Sequence, residues 1–586
     1  MGGGLMQLVA YGAQDVYLTG NPQITFWKVT YRRHTNFSLE SIEQTFNGQA
    51  DFGRRVTCTI SRNGDLAYRT YLQVTLPEIN QSMGPGSKTP GTDSVNDGVY
   101  ARWLDCPGEQ LISQVEVEIG GQRIDRQYGD WMHIWQQLTL TCDQEDGYNK
   151  MIGNTTQLTF ITDPLFADVD GPCDSAAPDA VCAPRNALPE TTLYVPLQFW
   201  YCRNPGLALP LIALQYHEVK INLDLRPIDE CLWAVQTLNC GVDSTPSVVK
   251  VNTAYNQSLV AASLYVDYVF LDTDERRRMA QNPHEYLIEQ LQFTGDESVG
   301  SSSNKIKLNF NHPCKEIIWV VQPDANVDYC ASLECGTNLY AALGAQPFNY
   351  TDALDALPNA LHAFSGPRSA ALGAGPKTGA ANAFIGADGL FAQPGATDVS
   401  STHFWAAAGA DVGIPAGSSS DGSGAYGVGG GGVDGTGVHM PGAGGFFDNG
   451  VGPVSSISDA GAFVLNETSL KMHCWGENPV VTAKLQLNGQ DRFSEREGTY
   501  FDLVQPYQHH TRSPDTGINV YSFALRPEEH QPSGSCNFSR IDNATLQLVL
   551  SNNTVQGVKT AKVRVYATNY NVLRIMSGMG GLAYSN

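Results

Sequence analysis

Long apolar runs, a signal peptide and a basic charge balance are all missing from this chain of 586 residues. No apolar run approaches the roughly 18 residues that a membrane-spanning helix needs, so the sequence predicts no such helix. The first residues, Met1 to Leu5, lack the charged and apolar regions of a secretory signal, which predicts cytosolic synthesis with reduced thiols. The formal net charge of -23 argues against nucleic acid or an anionic membrane as the main partner, because both attract basic surfaces.

Sequence signatures of enzymes are also missing. The 13 cysteines show neither zinc-ribbon spacing nor a redox motif, and no P-loop, Gly-x-Ser-x-Gly elbow or His-Glu-x-x-His pattern occurs. His509 and His510 form the densest histidine cluster, but no further ligands follow at a metal-binding spacing, so an exposed loop is favoured. We predict no enzyme, no cofactor and no metal. A cupin-like enzyme, one rival interpretation, would need His and Glu clustered on inner barrel strands.

The composition of the chain is typical of a large all-β protein. Hydrophobic residues make up 42% and charged residues 16%, which suits two sizeable cores in a chain of this length. The 59 glycines and 31 prolines suit many short strands joined by turns and long loops. Helical patterns are few and short, the clearest being 129–138 and 274–281. Two basic clusters, at 31–34 and 275–278, are interpreted as solvated turns.

A long-period internal repeat is the main evidence for the domain organisation. Residues 41–48 (SIEQTFNG) are echoed by residues 287–295 (LIEQLQFTG), and matching their Ile-Glu-Gln triplets sets an offset of 246 residues. At the same offset, the alternating segment 72–77 (LQVTLP) meets residues 317–323 (IIWVVQP). Two independent matches at one offset indicate a duplicated domain.

A third match reveals an insertion in the second copy. Residues 115–123 (VEVEIGGQR) resemble residues 484–492 (KLQLNGQDR), but the offset has grown to 368, which implies 122 extra residues. The composition places them at about 341–461, where Gly, Ala, Ser and Asp dominate but several Phe residues remain. We interpret this segment as a surface excursion between two strands, partly packed by its aromatic side chains.

Alternating segments recur about eight times in each copy, separated by long and uneven loops. This pattern favours a two-sheet, eight-stranded jelly roll over a propeller, whose blades would repeat at short, even intervals. The predicted fold is therefore all-β, with two tandem eight-stranded jelly rolls. Its predicted divisions are an N-terminal arm (1–25), jelly roll 1 (26–272), a linker (273–282), jelly roll 2 (283–575) and a C-terminal tail (576–586).

Long sequence blocks spread over most of the chain outside the insertion carry a family resemblance. They include 8–15 (LVAYGAQD), 18–22 (LTGNP), 31–37 (YRRHTNF), 61–66 (SRNGDL), 202–211 (CRNPGLALPL), 272–278 (DTDERRR) and 577–583 (SGMGGLA). These blocks closely resemble the major capsid proteins of nucleocytoplasmic large DNA viruses, the double jelly-roll family of chlorella viruses and mimivirus-like giant viruses. The insertion departs from the shorter chlorella-virus form.

The resemblance implies a structural role in a virion. Such chains form homotrimers of six jelly rolls, and these pseudo-hexagonal capsomers tile an icosahedral shell over an internal membrane. The implied partners are neighbouring capsomers, minor capsid and penton proteins and, indirectly, internal membrane proteins, with assembly in the host cytoplasm. The insertion keeps an alternative open, a receptor- or carbohydrate-binding jelly roll, because aromatics on a long loop stack well on sugar rings.

Two smaller features also carry expectations. The N-terminal arm is either a disordered tail or an inward arm that clamps neighbouring subunits or touches minor proteins on the membrane side, and its apolar residues favour the clamp. Candidate glycosylation positions among the Asn-x-Ser/Thr sequons are Asn349, Asn154 and Asn80. Asn349 is favoured because we expect exposure at the leading edge of the insertion, although cytosolic synthesis argues against the secretory pathway.

Overall fold

The computed structural model describes residues 3–80, 100–159, 186–235, 250–329, 345–352, 477–555, 557 and 559–584. Of the predicted insertion, residues 345–352 are described, while 341–344 and 353–461 lie outside the described residues. The described part is rich in β-sheet, and the paired strands of each roll are antiparallel. Strands and helices are numbered along the chain.

Jelly roll 1 is formed by eight main strands in two facing sheets. Their bounds are β1 (Phe37–Gln44), β2 (Arg55–Thr59), β3 (Leu66–Leu76), β6 (Ile112–Ile119), β7 (Gln122–Tyr128), β9 (Thr191–Pro196), β11 (Val219–Leu225) and β13 (Ala261–Leu271). The sheets have the orders β1-β13-β3-β9 and β2-β11-β6-β7. Short additional strands are β4 (Ile79–Asn80), β5 (Tyr100–Trp103), β8 (Asn186–Leu188), β10 (Leu209–Pro210) and β12 (Leu232–Val235).

Jelly roll 2 repeats the same topology. Its main strands are β14 (His284–Val299), β15 (Ser303–Leu308), β16 (Pro313–Pro323), β17 (Val480–Leu487), β18 (Gln490–Asp491), β20 (Ile518–Ser522), β22 (Ala544–Leu550) and β23 (Ala561–Met576). They pair in the orders β14-β23-β16-β20 and β15-β22-β17-β18. The short strands are β19 (Arg496–Glu497), β21 (Cys536–Asn537) and β24 (Met579–Leu582). The predicted all-β double jelly roll is confirmed.

The internal repeat corresponds to equivalent strands, with one difference in register. Strands β6 and β17 follow the offset of 368, since Val115 and Ala483 both point into their own cores. Strands β3 and β16 are related by 247 residues, because the inward-facing Leu72 is matched by the inward-facing Trp319. A shift of one residue exchanges the two faces of a strand. The alignment at 246 therefore identified the right strands but assigned their faces wrongly.

Both rolls connect β6 to β7, and β17 to β18, by the same tight turn. Gly120 and Gly121 have φ values of 58° and 83°, and Asn488 and Gly489 have 50° and 81°. Positive φ at both central residues defines a type I′ hairpin turn, which Gly and Asn adopt most readily. The turn fixes the pairing of the two flanking strands.

Helices are short and lie mainly in the connections. They are α1 (Gly3–Val9), α2 (Val16–Thr19), α3 (Pro107–Leu111), α4 (Gly129–Thr139), α5 (Cys142–Ile152), α6 (Thr156–Thr159), α7 (Trp200–Arg203), α8 (Asn252–Tyr255), α9 (Thr273–Gln281), α10 (Gln505–His509) and α11 (Asn552–Val555). A π-helical turn (Tyr500–Val504) leads into α10, and 3-10 turns lie at Pro205–Leu207, Ile228–Glu230, Asp324–Val327 and Phe538–Arg540. Among the described residues, no helix has the length and apolar character to cross a membrane.

The segment predicted as a linker is helix α9, so its basic cluster does not lie in a turn. The Asp272 side chain accepts a hydrogen bond from the Thr273 backbone N–H at the start of this helix, as a capping residue does. Arg276 pairs with the buried Asp65 of jelly roll 1, with Nε and Oδ1 2.8 Å apart. The helix therefore returns to the first roll before β14 begins the second.

The two rolls stand side by side and point the same way. At what we call the loop end, β3 and β16 finish and lead into long connections, and Gln110 donates a hydrogen bond to the Tyr329 hydroxyl at 3.0 Å. At the opposite arm end, β1 begins at Phe37, later than the predicted start of roll 1 at residue 26. There the Tyr216 N–H donates to the Gly578 carbonyl at 3.0 Å. Corresponding ends of the two rolls thus lie next to each other.

Candidate assembly surfaces

Helix α4 is the main element that joins the two rolls. It begins at Gly129, where an added Cβ would lie 2.3 Å from the Glu109 and Ile112 carbonyl oxygens, so glycine is required for this close approach. One face of the helix turns to its own roll, where Met132 is part of the core. The opposite face carries Trp131, Ile134, Trp135 and Leu138, and all four are buried against roll 2.

The surface of roll 2 that receives α4 is the outer face of the β14-β23-β16-β20 sheet. Its buried residues in this contact are Ile318, Val320, Ile518, Val520 and Tyr566. The rings of Trp131 and Tyr566 have centroids 5.5 Å apart, and Tyr566 stacks on Phe293 at 4.8 Å. Full burial of one large apolar side chain contributes about 1.5–3 kcal/mol. The contact therefore forms a further apolar core between the rolls, in addition to the core of each roll. The two rolls should consequently unfold together.

Buried charge fixes the orientation of this contact. Asp130, at the start of α4, lies 2.6 Å from a guanidinium nitrogen of Arg564 in roll 2 and 3.5 Å from one of Arg226 in roll 1. Burial alone would lower the pKa of Arg564, but the carboxylates of Asp130 and Asp296 raise it. Because one carboxylate is shared by cations from both rolls, a change of angle between the rolls would break at least one of the two ion pairs of Asp130.

Backbone contacts extend the interface towards the arm end. The Leu291 N–H donates to Asp125 Oδ1 at 3.0 Å, and Gln290 donates to the Ile124 carbonyl. Burial raises the pKa of Asp125 to about 7 although it accepts two backbone hydrogen bonds. The segment predicted as a C-terminal tail contains strand β24, and the Gly580 carbonyl lies 3.0 Å from Nδ1 of His217 in roll 1.

A buried network of charges is built around Lys315 and Glu316 of strand β16. Lys315 Nζ is 2.8 Å from Glu289 Oε2, and Arg203 of roll 1 is 3.2 Å from the same oxygen. Burial would raise the pKa of Glu289, but these two cations lower it to about 2. The neighbouring Glu316 meets His510 Nε2 at 3.0 Å. The network thus connects both rolls to the chain that follows α10.

The prediction that His510 lies in an exposed loop is wrong. Helix α10 ends at His509, and the His510 side chain turns inward between Glu316 and Glu528, with Nδ1 2.9 Å from Glu528 Oε1. Burial would lower the pKa of His510, but the two carboxylates raise it to about 9. His509 itself stays partly exposed, and its Nδ1 lies 3.1 Å from the Leu525 carbonyl oxygen. The adjacent histidines therefore have different roles, which their sequence did not distinguish.

Cys106, Glu109 and His133 form the cluster among the described residues that most resembles a metal site. Their ligand atoms lie within 4.8 Å of one another and all three are buried. However, Glu109 Oε2 already meets His133 Nδ1 at 3.1 Å, and its Oε1 accepts from the Tyr148 hydroxyl at 2.7 Å. The His133 ring also stacks on Phe348 at 4.3 Å. We interpret the cluster as a structural network that ties the leading edge of the insertion to roll 1.

The expectation that Asn349 is exposed is wrong, since its side chain is 9% exposed. Its Oδ1 accepts from the Thr351 N–H and hydroxyl, and its amide donates to Gln346 at 2.8 Å. These contacts close a turn beside the end of β16, where Gln322 and Asn326 each donate to the Asn349 carbonyl, so the buried side chain has no room for a glycan. Asn154 is half-buried, and the Asn80 side chain lies outside the described residues. Glycosylation at these two positions stays a prediction.

In the structure the N-terminal arm extends to residue 36, just before β1, and it exposes many apolar side chains. Every side chain from residue 3 to residue 36 is exposed except the half-buried Asp15. The large apolar side chains among them are Leu5, Met6, Leu8, Val9, Tyr11, Val16, Tyr17, Leu18, Ile24, Phe26, Trp27, Val29 and Tyr31. So much contiguous apolar surface on a folded chain marks a contact with another molecule.

This architecture defines a double jelly-roll protein. Comparison with known proteins gives the family. The family described as "Large eukaryotic DNA virus major capsid protein" matches residues 275–581, and "Major capsid protein N-terminus" matches residues 25–272. The chain belongs to this family of major capsid proteins.

Individual relatives agree with that assignment. The major capsid protein of Chrysochromulina ericina virus is 73% identical over the full length of both chains. That of Paramecium bursaria Chlorella virus 1 is 37% identical, again over the full length of both. The quasi-atomic model of the PBCV-1 virus capsid has a chain with 31% identity and a TM-score of 0.55, covering 96% of this chain and 100% of that one. The chain is accordingly a structural capsid protein of a large DNA virus and not an enzyme.

Proposed function

We propose that this chain assembles as a homotrimer whose six jelly rolls form a pseudo-hexagonal capsomer. These capsomers would tile an icosahedral shell over an internal membrane, after assembly in the host cytoplasm. The observation that carries the proposal is the parallel, side-by-side packing of two rolls of identical topology, fixed by α4 and by Asp130. Three such pairs arranged in a ring would present near-sixfold edges, which pack a flat lattice without gaps.

The polarity of the subunit gives the proposed orientation in the shell. Strands β3 and β16 end at the loop end, and the N-terminal arm leaves from the arm end. We place the loop end on the outside, where insertions are tolerated. The arm end then faces the interior, where minor capsid and penton proteins and, through them, internal membrane proteins would meet the shell. The net charge of -23 supports the absence of direct nucleic-acid contacts.

The test of the trimer uses the purified full-length chain. Sedimentation analysis and native mass spectrometry should give three chains per particle, and electron microscopy should give a hexagonal outline. Because the proposed trimer consists of copies of this chain alone, it should form without other viral proteins. A stable monomer at micromolar concentration would contradict the proposal.

Deletion of residues 1–24 tests the proposed role of the arm. We expect the variant to fold and to form trimers, since the side chains of residues 3–24 are exposed apart from the half-buried Asp15, but to lose assembly into extended shells or sheets. Electron microscopy of assembly reactions measures the outcome. A matched control is Tyr216→Ser, an exposed tyrosine at the same end of the molecule, which should assemble normally. Normal assembly of the deletion variant would rule the clamp out.

A further inference from the structure

The internal contact between the rolls provides a template for a contact between copies. Strand β7 is followed by α4. In roll 2 the equivalent edge consists of β18 and β19, which both pair with β17, and it is followed by the π-turn and α10. An offset of 369 residues relates the two segments. Under it, Met132 and His133, which face their own roll, match the buried Phe501 and Asp502. Gln136, which bonds Glu109, matches the buried Gln505 in the same way.

The outer face of the roll 2 segment is apolar and uncovered. The offset of 369 matches Ile134, Trp135 and Leu138 with Leu503, Val504 and Tyr507. The first three are buried between the rolls. The second three are 53%, 39% and 81% exposed. Roll 2 therefore repeats the helix that joins the rolls, but its joining face has no partner within the described chain. We call this face the donor face.

Roll 1 carries the equivalent of the surface that receives α4. Through the offset of 247, Tyr71 corresponds to Ile318, and their paired neighbours Tyr265 and Tyr566 correspond as well. On the next strand, Tyr194 pairs with Gln73 as Ile518 pairs with Val320.

These three tyrosines of roll 1 lie on the outer sheet face. Tyr71 stacks on Tyr265 with centroids 5.4 Å apart and lies 6.3 Å from Tyr194, which is 40% exposed. We call Tyr71, Tyr194 and Tyr265 the receiving face.

We infer that the donor face of one copy packs on the receiving face of a second copy, and that this contact repeats the internal one. The inference rests on the proposed trimer and names the two surfaces that build it. The contact is heterologous, because the donor face and the receiving face are different surfaces of one chain. Every copy carries one donor face and one receiving face, so no face stays exposed only when the copies close into a ring.

The surface that receives α4 inside one chain and the receiving face for a second copy differ in composition. The internal receiving surface is mostly aliphatic, and it is covered as the chain folds. The receiving face is made of tyrosines, one exposed and two half-buried, whose rings supply apolar contact area while their hydroxyl groups bond water or polar side chains. Ser41 bonds the Tyr71 hydroxyl at 3.0 Å, which holds that ring on the sheet. A folded monomer can therefore stay soluble before it meets its neighbours.

Charge exchange between the two faces tests the inference on the full-length chain. Tyr507→Lys should raise the concentration at which trimers dissociate by about thirtyfold per contact, as expected for loss of an aromatic anchor. The single variant Tyr194→Asp should also weaken the trimer. The double variant Tyr194→Asp with Tyr507→Lys should regain much of the trimer stability that each single variant loses. Charges couple over about 10 Å, so the two residues need not touch. Tyr194→Lys with Tyr507→Lys should be weaker than either single variant.

The matched control is Tyr216→Lys, since Tyr216 is 76% exposed at the arm end and lies on neither face. It should leave the trimer unchanged. Circular dichroism of each variant should show the wild-type fold, because the substituted side chains are on the surface. A wild type that forms trimers unaffected by Tyr507→Lys would overturn the inference and leave the proposed function standing. A monomeric wild type would overturn both.

Discussion

Substitution of Trp131 by alanine should destabilise the folded chain by about 3–5 kcal/mol, the usual cost of removing a large aromatic side chain from a core. Trp131 is 3% exposed and packs between Trp135 and Tyr566, so its removal leaves a cavity between the two rolls. We expect the rolls to uncouple, because the lost contacts belong to neither roll alone. Urea unfolding followed by circular dichroism should then show two transitions where the wild type shows one.

The chain offers a matched control for this experiment. Trp27 is 80% exposed in the N-terminal arm, so Trp27→Ala makes the same chemical change without burial. Its free energy of unfolding should stay within about 0.5 kcal/mol of the wild type, as for most surface substitutions. If both tryptophan variants unfold alike, α4 is not what couples the rolls, and the template for the contact between copies fails with it.

The duplicated fold could be predicted because its turns and strands have local sequence patterns that occur in both rolls. The hairpin turn at Gly120 and the equivalent turn at Gly489 both need positive φ, which glycine adopts most readily. The glycines at these turns could therefore be recognised in the sequence. The offset of 368 consequently predicted both faces of β6 and β17. In β16 the run from Ile317 to Val321 is apolar on both faces, because one side faces the core and the other faces α4. An alternating pattern was absent there, and a one-residue error in register followed.

The contact surfaces could not be predicted, because they depend on residues distant in sequence. Nothing near Asp130 indicates that Arg564 will lie beside it, and nothing near Asn349 indicates that its amide will be buried. His510 was misplaced for the same reason: its partners Glu316 and Glu528 come from different parts of roll 2. Long-range pairs of this kind leave no spacing in the sequence, since the fold alone brings them together.

Substitution of His510 by glutamine should cost about 3–5 kcal/mol, because it leaves two carboxylates close together without their buried cation. The effect should also depend on pH. The pKa of His510 rises from 6.5 to about 9 on folding, so its charged form stabilises the native state fully below pH 6.5. This contribution, about 3 kcal/mol, should be lost as the pH rises through 9. The wild type should therefore lose stability in that window, while His510→Gln should lose much less.

The neighbouring His509 supplies the control, since His509→Gln changes a partly exposed ring whose Nδ1 lies beside the Leu525 carbonyl and not between carboxylates. This variant should keep the wild-type stability and the wild-type pH dependence. Unfolding free energies measured below pH 6.5 and above pH 9 for both variants separate the two histidines, because tyrosines, lysines and cysteines that titrate at high pH contribute equally to each. Equal pH dependence in the two variants would mean that His510 is not charged in the folded protein. The ion pairs with Glu316 and Glu528 would then contribute nothing to holding the chain after α10 against β16.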